Sequence, residues 1–196
     1  MRASPSWLAV RAGLLAFGLL VAAVVGAAGA DQPALASLLK TLDLRGYTAR
    51  TTAPQFSGST LDGRQLSMTE HRGAVIVLNF WATWCLECQS EMPVLERLRR
   101  EFSSRGLAII GVNARENKEA VRRYAKELGL TFPLVLDPDG EINALYGVIG
   151  LPTTFVVGRD GRAIAFAIGP RRWESAPARA LIGALRAEPA PSTTVQ

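Results

Sequence analysis

The sequence predicts an α/β fold with a mixed central sheet flanked by helices and an N-terminal β-hairpin extension. Three observations carry that prediction. Short apolar runs alternate with amphipathic helical stretches, the pattern of strands joined by crossover helices. The segment Ala74-Val75-Ile76-Val77-Leu78-Asn79-Phe80-Trp81 is almost continuously apolar and rich in β-branched residues, as a strand buried on both faces is. Asp62-Gly63 and Asp160-Gly161 are hairpin turn signals near the two ends of the domain.

The first thirty residues stand apart from this pattern. Arg2 and Arg11 precede a run of small and apolar residues over 12–30, which closes on Ala28-Gly29-Ala30 before Asp31. The small residues fit a signal-peptidase site, yet the run exceeds the usual apolar region of about 7 to 15 residues. At about 1.5 Å per residue it nearly spans a hydrocarbon core of about 30 Å. Residues 1–30 are read as a cleaved signal peptide or a retained membrane anchor. Either one, with arginine on its N-terminal side, sends the rest of the chain out of the cytoplasm.

Residues 31–53 are read as a linker in which Leu35, Leu38, Leu39 and Leu42 recur at helical spacing. The main domain is assigned to 54–187. Its opening hairpin pairs Ser59-Thr60-Leu61 with Gln65-Leu66-Ser67. After the buried strand comes a helix over 85–100 that turns Met92, Leu95 and Leu98 to the core. A strand over 107–112, a helix over 116–128 closed by Gly129, a strand over 132–136 and a short helix over 141–146 follow. Strands 153–157 and 163–168 are expected as an antiparallel edge hairpin, and a last helix covers 173–187. The Pro, Ser and Thr of 188–196 predict a disordered tail.

Composition excludes several classes. The chain has 22 Lys and Arg against 17 Asp and Glu, and with Arg2 and Arg11 in the leader the remainder carries an excess of only three. These charges are interspersed along helical stretches, which describes a solvated surface and no nucleic-acid partner. The two cysteines lie three positions apart and close too short a loop to staple a fold. A structural zinc site takes four Cys or His ligands, whereas the chain offers two Cys and His71. No metal and no organic cofactor are expected.

What remains is a site at Trp84-Cys85-Leu86-Glu87-Cys88, where a buried strand gives way to a helix. Free N–H groups and the helix dipole favour a thiolate on Cys85, the species that attacks disulfides. Cys88, one turn on, is shielded and suited to resolve a mixed disulfide. Glu91 shares its helical face and is a candidate proton acceptor for Cys88, or else a surface carboxylate. Glu87 opposes a thiolate on Cys85 and makes the pair less oxidising. Pro152, in Gly150-Leu151-Pro152-Thr153-Thr154, taken alone reads as a loop proline.

Asn79-Phe80-Trp81-Ala82-Thr83-Trp84-Cys85-Leu86-Glu87-Cys88, Pro93 in the helix, and Gly150-Leu151-Pro152-Thr153-Thr154-Phe155 together resemble the thioredoxin superfamily, most closely its exported TlpA/ResA-like branch. The resemblance covers residues 53–187. It implies a thioredoxin-like fold and a cis Pro152 lying against the cysteines. It also implies that Trp84, Leu151 and Pro152 bind substrate, the backbone before Pro152 pairing with an extended segment, and that Glu91 accepts the proton of Cys88. The implied activity is reduction of disulfides in client proteins, apocytochromes c among them, with electrons from a membrane thiol donor, in the periplasm or on the outer face of the inner membrane. One residue departs from the branch: Glu87 stands where Pro usually precedes the second cysteine, which leaves reductase and oxidase directions both open.

Two other classes make distinct demands. A thiol peroxidase of the peroxiredoxin type needs Thr or Ser three residues before its reactive cysteine, and that position is Ala82. A Cu(I) chaperone pairs soft thiolates, usually with a His or Met close by, and Met92 is expected in the core.

Overall fold

The computed structural model describes residues 32–189 apart from 103 and 105. The expected leader and nearly all of the expected tail lie outside the described residues. Among the described residues, no helix is long and apolar enough to cross a membrane.

Strand β4 (Val75–Trp81), buried at every position, is the axis of the fold. It pairs in parallel with β5 (Leu107–Ala114), which pairs in parallel with β6 (Leu134–Asp137). On its other side β4 meets β7 (Thr153–Val157) antiparallel, followed by β8 (Ala163–Ile168) and the two-residue β1 (Arg45–Gly46). The sheet order is therefore β1-β8-β7-β4-β5-β6. The hairpin expected as an edge sits inside this sheet. Both parallel crossovers step away from β4 in one direction, which leaves its other side open for β7, and β1 then covers β8.

The period-2 alternation of β4 divides two cores. Val75, Val77 and Trp81 face α2 (Leu86–Phe102), α3 (Lys118–Glu127) and α5 (Ala176–Ala187), meeting Met92, Leu95, Val121, Leu181 and Ile182. Ile76, Leu78 and Phe80 face Phe56, Leu66, Met68, Tyr146 and Ile142 of the short α4 (Glu141–Leu145). The segment read as a linker is packed into the domain: α1 (Gln32–Thr41) lies beside α5, and Leu42 and Leu44 join the first core.

Two local expectations shift. The opening hairpin pairs β2 (Ser57–Ser59) with β3 (Gln65–Ser67), so Thr60 and Leu61 belong to the turn. Thr60 bridges to Val135 on the β6 edge, its hydroxyl engages Asp62, and Leu61 N–H donates to Leu134 C=O at 2.7 Å. These ties draw the two residues out of the ladder. The last helix begins at Ala176, because the Ser175 hydroxyl accepts from Ala178 N–H and Pro follows in the first turn. Trp173 is thereby released from the helix and turned into the core, where it is fully buried.

Candidate active site

The C-terminal end of β4 delivers Trp81 to the core, and the chain then runs through Ala82, Thr83 and Trp84 to Cys85, directly ahead of the first residue of α2. Glu116 holds this connection. Its Oε2 accepts from the Thr83 backbone N–H at 2.7 Å and from Asn113 Nδ2 at 2.7 Å, and its Oε1 accepts from the Thr83 hydroxyl at 2.5 Å. From the helix side, Gln89 Nε2 donates to Thr83 C=O at 2.9 Å.

Cys85 and Cys88 form a disulfide with their Cα atoms 5.2 Å apart. Cys85 Sγ accepts the Cys88 backbone N–H at 3.2 Å, so one of the free N–H groups of the first helical turn points at this sulfur. Cys85 is 8 % exposed and Cys88 only 1 %. Trp84 and Leu86, on either side of Cys85, are among the most exposed apolar side chains. Glu87 lies exposed in the first turn of α2.

The Leu151-Pro152 peptide bond is cis. Pro152 is buried, Thr153 stands opposite Phe80 near the end of β4, and Leu151 packs against the cluster that contains Ala82, Cys85 and Cys88. The loop before β7 thus lies at the same end of the sheet as the cysteine pair, with Ile149 86 % exposed beside it.

Glu91 is buried one turn beyond Cys88, not on the surface. Its Oε1 accepts from Trp173 Nε1 at 2.7 Å and from the Arg171 backbone N–H at 2.9 Å, and its Oε2 accepts from Asn79 Nδ2 at 2.9 Å. Burial pushes the carboxyl above its ordinary 4.5, while these donors and the Arg171 charge pull it back. The Arg171 side chain ties this loop down by donating to the backbone and carboxylate of Asp43, just after α1. Sequence reading marked Glu91 but missed Trp173, the Arg171 N–H and Glu116, because loops from distant parts of the chain bring them in.

Among the described residues, no group of three or more His, Cys, Asp and Glu side chains is arranged to hold a metal. The model of the AhpC/TSA family matches residues 49–165. The chain belongs to the AhpC/TSA family. It is 40 % identical over 134 residues to the thiol-disulfide oxidoreductase ResA of Geobacillus thermodenitrificans, a match spanning 65 % of this chain and 77 % of the relative. Among solved structures, a thiol:disulfide interchange protein of Chlorobium tepidum described as a putative DsbE superposes with a TM-score of 0.65 at 26 % identity, over 70 % of this chain and 96 % of that one. A secreted disulfide oxidoreductase of Mycobacterium tuberculosis superposes with a TM-score of 0.58 at 28 % identity, over 68 % and 96 %. The fold of this AhpC/TSA family member is thioredoxin-like, as its TlpA/ResA-like motifs implied.

Proposed function

We propose that the chain is an extracytoplasmic thiol–disulfide oxidoreductase that reduces disulfides in client proteins. The observation that carries this reading is the Cys85–Cys88 pair at the N-terminal tip of α2, with a buried carboxylate one turn behind it. In the reduced protein the Cys85 thiolate attacks a client disulfide. A bond forms from Cys85 to one client sulfur, and the other leaves as a thiolate. Cys88 then yields its proton to Glu91 and attacks Cys85 Sγ, closing the Cys85–Cys88 disulfide and releasing the second client thiolate. Two electrons pass to the client, and a membrane thiol donor restores the pair. Trp84, Leu151 and the backbone beside Pro152 receive an extended client segment by strand addition. Export rests on the leader and on the secreted relative, and apocytochromes c, with paired cysteines, are the favoured clients.

The peroxidase reading finds no support at the site. Ala82 stands where a hydroxyl is required, and the hydroxyl of Thr83 is occupied by Glu116.

The test is Cys88→Ser in the full chain, expressed in the native host. Cytochrome precursors should remain disulfide-linked to Cys85. If nothing is captured and the unaltered protein does not reduce insulin, the proposal fails.

A further inference from the structure

Glu91 sits among donors of two kinds. The Trp173 indole N–H and the Arg171 backbone N–H can only donate, and both point at Oε1. A proton placed on Oε1 would meet two N–H groups. Oε2 faces the Asn79 side-chain amide instead, at 2.9 Å. Asn79 Nδ2 also donates to the Thr154 hydroxyl at 2.8 Å, and Asn79 Oδ1 is buried with no hydrogen-bond partner among the described residues. The register explains the proximity, since Asn79 on β4 stands directly opposite Thr154 on β7.

We propose that Asn79 and Thr154 are positioning residues forming a two-state relay that holds Glu91 in either protonation state, with Oε2 as the oxygen that gains and loses the proton. With Glu91 ionised, Asn79 Nδ2 donates to both Oε2 and Thr154, the arrangement seen here. When Glu91 takes the proton of Cys88, the Asn79 amide turns over. Its Oδ1 then accepts from the new Oε2–H, and the Thr154 hydroxyl reverses from acceptor to donor toward the same oxygen. An amide and a hydroxyl can exchange roles in this way, whereas an indole and a peptide N–H cannot. Asn79 Oδ1 makes no hydrogen bond among the described residues, so turning the amide over breaks none on that side.

Among the described residues, the charged and titrating groups around Glu91 are few. Arg171 acts on it at a distance and is itself paired with Asp43, while Cys88 lies on the same helix as Glu91 and Cys85 directly ahead of that helix. The facing β4 and β7 present Asn79 and Thr154, and the loop before α5 presents Trp173, none of which titrates here.

The relay rests on the reading of Glu91 as the base for Cys88, and one experiment separates the two. In the oxidised full-length protein, the Glu91 carboxyl carbon and the Asn79 side-chain amide are followed by nuclear magnetic resonance against pH. Both should move in a single shared titration, the amide protons losing their hydrogen-bonded shift as Glu91 gains its proton. An Asn79 amide that stays still while Glu91 titrates overturns the relay and leaves the base intact, and a Glu91 that never titrates overturns it as well. For the base, the reduced protein is mixed with the aromatic disulfide dithiobis(nitrobenzoate), which releases one coloured thiolate on attack by Cys85 and another on resolution by Cys88. If the pH profile of the second release ignores the Glu91 titration, the base fails, and the relay stands as a proton store without that role. Asn79→Asp supplies a second check, because a carboxylate accepts but does not donate. The substitution sets two carboxyl groups side by side, and one macroscopic step of that coupled pair should move to higher pH than the Glu91 step of the unaltered protein. An unmoved titration refutes the relay.

Discussion

Replacing Glu116 measures how firmly the connection into Cys85 is held. Glu116→Ala removes the acceptor of the Thr83 N–H, of the Thr83 hydroxyl and of Asn113 Nδ2. Asn113 is fully buried and its Oδ1 already lacks a partner among the described residues, so the whole amide is stranded. A buried polar group left unpaired costs about 1 to 3 kcal/mol, and two N–H donors are stranded here. Because they share one acceptor the costs do not add fully, and a loss of roughly 3 kcal/mol is expected. For a domain of this size each kcal/mol lowers the melting midpoint by about 2 to 4 °C, which gives a drop of about 6 to 12 °C. Glu116→Gln separates charge from shape. Its oxygen can take the place of Oε2 and accept from Thr83 N–H and Asn113, while its NH₂ donates to the Thr83 hydroxyl, which accepts as readily as it donates. That variant should therefore recover all but about 1 kcal/mol. Thermal unfolding of the oxidised proteins, followed by circular dichroism, decides the matter. A Glu116→Ala midpoint within about 2 °C of the unaltered protein would show that the three bonds hold nothing.

Two further outcomes follow from the same geometry. Burial raises the Glu91 carboxyl above 4.5, so between that value and its raised one the folded chain binds more protons than the unfolded chain, and stability falls as pH rises through that window. Glu91→Gln does not titrate, so its midpoint should gain on the unaltered protein as pH rises above 4.5, and a difference that stays constant with pH refutes the assignment. In the interior of β5, a Cβ on Gly111 would lie 2.9 Å from Leu134 Cδ2, 3.0 Å from Trp81 Nε1 and 3.2 Å from Phe132 Cε2. Gly111→Ala should therefore cost about 1 to 3 kcal/mol, read as a lower urea midpoint at unchanged slope.

What the sequence made legible was chemistry confined to one turn of helix. Cys85, Cys88 and Glu91 recur at spacings of three, so a helix start alone aligns them, and the alternation in β4 separates the two cores before any fold is known. The surroundings of Glu91 were not legible, because its donors arrive from 82 residues away at Trp173 and 80 residues away at Arg171, and Asn79 meets Thr154 across 75 residues. Those meetings depend on β7 pairing with β4 rather than lying at an edge, and on Ser175, not Trp173, starting the last helix. A local pattern offers no account of either choice. The division has a chemical consequence. The groups proposed to exchange sulfur are written in one short motif, whereas the proton affinity of Glu91 is set by the burial around it and by donors from the loop before α5 and from β4. Substitutions far from the CxxC, in β7 or in the loop before α5, should therefore retune the pH dependence of resolution while leaving both cysteines where they are.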